Sequence, residues 1–163
     1  MVPRDAYPLK TTLLWVGAAI TALAAVFFPT IQGIRDRDES WWRLAWFVVP
    51  QDLEGVILGP VVVLLTIGLF ALVGRWAWKD TDGRNRPARV GVVSSLFGFA
   101  GVVAFFLSAP IILGGLGTTL GLEGRRRART EGRGSLAAAA IVIGVLAFAF
   151  GAAIWAFGEE LGI

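Results

Sequence analysis

The sequence predicts an all-α integral membrane protein, a single helical bundle of five crossings. Three observations lead there. The chain is 56% hydrophobic and only 17% charged, with a mean hydropathy of +0.70, whereas soluble domains sit near ~45–50% apolar. Its apolar stretches reach the length of about 20 residues that a helix needs to cross a bilayer core. They are apolar on every face, unlike barrel strands, which alternate. Finally, Val90 to Leu122 holds no charged side chain, yet as one helix it would be roughly 50 Å long against a core of about 30 Å. Pro110 interrupts it, followed by Gly114, Gly115, Gly117 and Gly121. Proline removes an amide donor and clashes with the carbonyl four residues back. The stretch is therefore read as a hairpin of residues 90–107 and 109–122. A four-span bundle, with the stretch crossing once, is the alternative.

The other elements follow in order, within one domain covering residues 1–163. A polar start carries Arg4 and Lys10, and residues 11–28 form a first span ended by Pro29. Ala22-Leu23-Ala24 has the small-x-small form of a signal-peptide cleavage site. The apolar run continues through Phe28, which favours a retained anchor. Residues 30–54 are a polar connection with Arg35, Arg37 and Arg43 among Asp36, Asp38, Glu39, Asp52 and Glu54. Ser40 can cap a short helix over 41–49, stopped by Pro50. Trp41, Trp42 and Trp46 on that helix suit the outer headgroup zone as interfacial anchors or a docking ridge. The second span, 55–74, ends in Arg75, Trp76, Trp78 and Lys79, a belt of anchors and snorkelling cations. A turn-rich loop over 80–89 holds Asp82-Gly83 and Pro87. After the hairpin comes an arginine-rich loop over 123–133, then a last span over 134–157.

Basic residues set the orientation. With five crossings, 12 of the 15 lysines and arginines share one side and 3 lie opposite; with four, the split is 7 to 8. Cytoplasmic loops carry the excess of Lys and Arg, so the amino terminus is expected inside and the carboxyl terminus, with Glu159 and Glu160, outside. The weak joint is 109–122, a helix of roughly 21 Å and so about 9 Å short of the hydrocarbon. Local thinning and snorkelling arginines could make up the difference. Arg84, Arg86, Arg89, Arg125, Arg126, Arg127 and Arg129 are candidate contacts to anionic lipid headgroups, each worth about 1 kcal/mol near the surface. Topological signalling alone is the plainer alternative. No recognition motif accompanies the charge, so nucleic acid is not an expected partner.

The last span carries a stripe of small residues. Ala137, Ala140, Gly144, Ala147, Gly151 and Gly158 follow steps of three and four, broken only by Ile154. Lipid tails are as apolar as leucine, so membrane helices associate through close backbone approach, and such a seam suits it. Abundant alanine and glycine is the ordinary explanation. No ionisable residue lies deep in any span. The hydroxyls there (Thr21, Thr66, Ser94, Ser95, Ser108, Thr118 and Thr119) are expected to bond backbone, with Ser108 capping the helix that follows. The chain has no cysteine and no histidine, which removes thiolate chemistry and the commonest metal ligand and proton shuttle. Asp36, Asp38 and Glu39 are interleaved with arginines, a poor cation site. No catalytic, cofactor or metal site is expected. The leading expectation is a non-enzymatic scaffold or accessory subunit with a protein partner or a second copy. The alternative is an oligomeric passive channel or transporter for a small solute or lipid.

One likeness has residues to carry it. A glycine-rich apolar hairpin, Gly98-Phe-Ala-Gly101 to Ala109-Pro-Ile-Ile-Leu-Gly-Gly-Leu-Gly117, precedes an arginine-rich turn, Glu123-Gly-Arg-Arg-Arg-Ala-Arg129. A glycine and alanine helix follows, Gly134-Ser-Leu-Ala-Ala-Ala-Ala-Ile-Val-Ile-Gly144. This resembles a domain of unknown function in small multi-pass membrane proteins of high-GC Gram-positive bacteria, over about residues 89–157. The resemblance implies a bacterial plasma membrane and no catalytic residues.

Overall fold

Five helical rods make up the structure, a computed structural model that describes residues 9–35, 53–78, 85–101 and 108–157. Helix α1 (Leu9–Arg35) is followed by α2 (Leu53–Leu69), which passes through a π-turn (Phe70–Gly74) into a final turn, α3 (Arg75–Trp78). Then come α4 (Arg86–Ala100), α5 (Ala109–Glu131) and α6 (Gly134–Phe157). The expected interfacial helix at 41–49 lies outside the described residues.

Facing residues fix the directions. Gly74 lies against Leu14, and at the other end Ala25 packs with Val62, so α1 and α2 are antiparallel. Ala88 lies opposite Gly124 and Gly98 opposite Gly114, which makes α4 and α5 antiparallel. Gly121 faces Ala140 while Gly151 faces Pro110 and Ile111, so α5 and α6 are antiparallel too. Thr119 meets Gly17, and Gly115 meets Thr21, along α1. Successive rods thus alternate in direction, and α5 touches α1, α4 and α6. Residues 90–101 and 108–122 thus lie on two antiparallel rods, as the hairpin reading expects, and not on one continuous helix.

Several boundaries differ from expectation, each for a local reason. Helix α4 begins at Arg86, ahead of the expected residue 90, because Pro87 stands in its first turn, where no amide is needed. It ends at Ala100, short of the expected 107. Helix α5 runs on past Leu122 to Glu131, so the arginine-rich loop is helix; Glu and Arg are good helix formers. Helix α1 runs through Pro29 instead of stopping there.

That last departure has a visible compensation. Pro29 has no amide to give the carbonyl of Ala25, four residues back. The Ser108 hydroxyl donates to that oxygen at 2.9 Å from 83 residues away. Ser108 was expected to cap α5 with its side chain. It is the N-cap residue, at φ 57°, but makes no side-chain cap bond. Its hydroxyl repairs α1 instead.

Size is distributed against the usual pattern of soluble proteins. Ala18, Ala22, Ala25, Ala77, Ala88, Ala137, Ala140 and Ala147 are buried, while Leu23, Leu64, Phe97 and Val142 are exposed. The interior admits small side chains because the backbones lie close together. Larger buried side chains include Leu14, Val62 and Phe70, and α5, encircled by neighbours, adds Ile111, Leu116 and Leu120.

Two helices, Gly59–Trp78 and Gly134–Phe157, are long and apolar enough to cross a membrane. The apolar part of α1, Thr12–Phe28, is shorter; α4 has 15 residues, and α5 carries Glu123 and the arginines. By length and composition five crossings are not supported.

The pairing of Pro29 with Ser108 is testable by a double-mutant cycle in detergent. Ser108→Ala should cost about 1–3 kcal/mol by stranding the Ala25 carbonyl. In a Pro29→Ala background, where the amide is restored, the same change should cost markedly less. Equal costs in both backgrounds would show the two residues to be independent.

Candidate functional site

The candidate site lies at the end of the bundle where α3, the start of α4 and the α5–α6 turn meet. It is built on a close approach. A Cβ on Gly124 would lie 2.8 Å from the backbone of Ala88, so α4 and α5 nearly touch there. Asn85, the N-cap of α4 at φ 36°, is fully buried beside this contact. Its Nδ2 donates to the carbonyls of Gly124 and Gly132, both at 2.8 Å. Its Oδ1 accepts from the Ala88 amide at 3.4 Å. One amide side chain therefore ties the start of α4 to α5 and to the turn after it. Gly132, at φ 73°, ends α5 in a conformation that favours glycine.

Glu123 is the buried carboxylate of this end, with a side chain 2% exposed. Arg127 Nε donates to its Oε1 at 2.9 Å, one helical turn on. Arg127 Nη2 donates to the Trp78 carbonyl at 2.9 Å, joining α3 to α5. The second carboxylate oxygen, Oε2, makes no hydrogen bond; the Arg126 guanidinium lies 3.8 Å away. The ion pair holds position more than it adds stability, since desolvation consumes much of the attraction of a buried pair.

The arginines of the turn, read as equivalent in the sequence, point two ways. Arg127 is turned into the bundle, 10% exposed. Arg125, Arg126 and Arg129 are exposed and, with Leu122 and Ala128, line an open groove of about 690 Å³. On α4, Arg86 stacks over the Trp76 ring at 3.6 Å from its centroid, and Arg89 is exposed. Trp76 is exposed as an anchor would be. Trp78 is not: it is half-buried against the Leu14 cluster, and its indole N–H is buried without a partner. Trp41, Trp42, Trp46 and Arg84 lie outside the described residues, as do the acids Asp36, Asp38 and Glu39.

The small-residue stripe of α6 faces the other helices. Ala137, Ala140, Gly144, Ala147 and Gly151 are buried. A Cβ on Gly144 would lie 2.8 Å from the Gly114 carbonyl, and one on Gly91 would lie 3.1 Å from the Ala140 methyl. The stripe is spent on α5 and α4 within this chain; Gly158 lies outside the described residues. Sequence reasoning missed Asn85 and the inward turn of Arg127. The spacing of Asn85 before Pro87, and the Glu123–Arg127 pair four apart, were signals that could have found them.

Known protein families, curated proteins and solved structures give no match to this chain. The chemistry at this end must be judged on its own geometry: an internal lock of Asn85, Glu123 and Arg127, and an external row of cations beside it.

The two arginine environments predict different costs. Arg127→Ala strands a buried carboxylate and should destabilise the protein by about 3–5 kcal/mol. Arg125→Ala, at an exposed site, should stay within about 0.5 kcal/mol. Thermal unfolding in a mild detergent measures both, and equal shifts would contradict the inward placement of Arg127.

Proposed function

We propose that the chain is a non-enzymatic integral membrane protein acting as a scaffold or accessory subunit. All five rods cross the bilayer in this reading, α5 sheltered from lipid by its neighbours. The arginine-rich end faces the cytoplasm and the carboxyl terminus lies outside. The likeness of residues 89–157 to small membrane proteins of high-GC Gram-positive bacteria suggests a bacterial plasma membrane. Exposed aliphatic and aromatic side chains would face lipid at no cost, whereas in water each would forgo about 25 cal/mol per Å² of burial. Arginines at the cytoplasmic end would attract anionic headgroups.

One observation weighs most in favour of a scaffold over a conduit. Thr66, Thr118 and Thr119 each donate to the carbonyl four residues back in their own helix. Ser95 and Ser108 donate to carbonyls of α6 and α1. The threonines are spent on their own helix backbone and the two serines on joining helices, where a solute path would need these hydroxyls turned toward the solute. An accessory protein would meet its partner, or a second copy, through its outer surface.

Purification in mild detergent with quantitative mass spectrometry, alongside flux assays in proteoliposomes, tests this. The expected outcome is a membrane-protein partner or a second copy at fixed stoichiometry, with solute flux no faster than in protein-free vesicles. Flux rising in proportion to the reconstituted protein would favour a channel or transporter.

A further inference from the structure

We propose that Arg125, Arg126 and Arg129 form a discrete phosphate-binding site, with Leu122 as its apolar lip. The proposal rests on the membrane reading above and narrows it from a general attraction of basic residues to one locus. Three facts carry it.

The first is the separation of charge on α5. Arg127 is consumed by Glu123 and the Trp78 carbonyl. Arg125 and Arg129, one turn apart on the open face, have no ion-pair partner among the described residues, and Arg126 is 48% exposed beside them. Like charges four apart repel by a few tenths of a kcal/mol, roughly 0.2–0.5. A bound anion relieves that cost.

Shape is the second fact. The three guanidinium-bearing residues and Leu122 share one open face of α5 and line a shallow groove there. Guanidinium groups present paired N–H donors that match phosphate oxygens two at a time. The negative end of the α5 dipole opposes an anion with only about half an elementary charge. Three full positive charges outweigh it.

The third is where α5 surfaces. From Pro110 to Gly121 it is buried, apart from partial exposure at Leu113 and Thr118; Leu122, 42% exposed, is the first exposed residue. An apolar side chain thus sits one turn from the cations, on the membrane side. Phosphate chemistry is common to a lipid headgroup and a free phosphate ester, and an acyl chain has Leu122 to rest on only in the first.

The experiment uses the full chain in a neutral detergent. Dihexanoyl phosphatidylglycerol and glycerol 3-phosphate are titrated separately, with retained ligand read by native mass spectrometry. For Arg125→Gln/Arg126→Gln/Arg129→Gln, the apparent Kd should rise at least about tenfold. Arg126 also faces the buried Glu123 carboxylate, so the double variant Arg125→Gln/Arg129→Gln, which keeps it, should show the same direction without loss of folding. A charge-matched control, Arg4→Gln/Lys10→Gln/Lys79→Gln, should change Kd less than about twofold. Loss confined to the phospholipid supports a lipid headgroup site, and loss shared by glycerol 3-phosphate supports a soluble phosphate ester. Failure of the parent to retain either ligand would overturn the site, as would equal weakening in the control. Neither result bears on whether the chain has a protein partner or conducts solute, which the co-purification and flux assays decide.

Discussion

Backbone-to-backbone contact along α5 is the constraint on which the rest of the structure depends. A Cβ on Gly114 would lie 2.6 Å from the Gly144 carbonyl; one on Gly121, 2.9 Å from the Ile141 amide; one on Gly124, 2.8 Å from Ala88. No real side chain occupies such distances. These three glycines allow α4 and α6 to approach one helix from two sides, while Gly115 does the same for Thr21 of α1. Because the helices approach so closely, alanine, serine and threonine fill the contacts beside these glycines, and many of the larger apolar residues go outward. The packing gain is dispersion at short range, the form of association available to helices surrounded by lipid.

That arrangement changes the meaning of a short helix. As a lipid-facing span, residues 109–122 would be about 9 Å too short. In the bundle they are packed among α1, α4 and α6 and buried along most of their length. Their continuation to Glu131 then brings the arginines out of the bundle at one end. The lock of Asn85, Glu123 and Arg127 sits where α5 leaves its sheath, fixing the helix while the opposite stripe of the same turns stays open. Buried and exposed charges are thus separated by the helical period alone.

Much of this was legible in the sequence. Pro110, the glycines after it and the one-sided clustering of arginine all point to a hairpin. The steps of three and four from Ala137 to Gly151 mark the packed face of α6. What escaped were effects that join distant residues. Pro29 reads as a stop because its lost amide is visible locally, whereas the Ser108 hydroxyl that satisfies the Ala25 carbonyl comes from another helix. Pro87 reads as a loop residue unless Asn85 is recognised as a cap. Arg127 is chemically the same as Arg125 and Arg126; only rotation of about 100° per residue around the helix turns it inward. The stripe of α6 was visible, but whether it served this chain or another became clear only with α5 in place.

Alanine substitution along α5 tests the central claim most directly. In a mild detergent, Gly114→Ala, Gly121→Ala and Gly124→Ala should each lower the unfolding free energy by about 1–3 kcal/mol, as overpacking does. Gly68→Ala, where a Cβ would meet nothing within 4 Å, should be neutral or stabilising. If Gly114→Ala and Gly68→Ala behave alike, the helices do not meet at backbone distance and α5 is not the centre of the bundle.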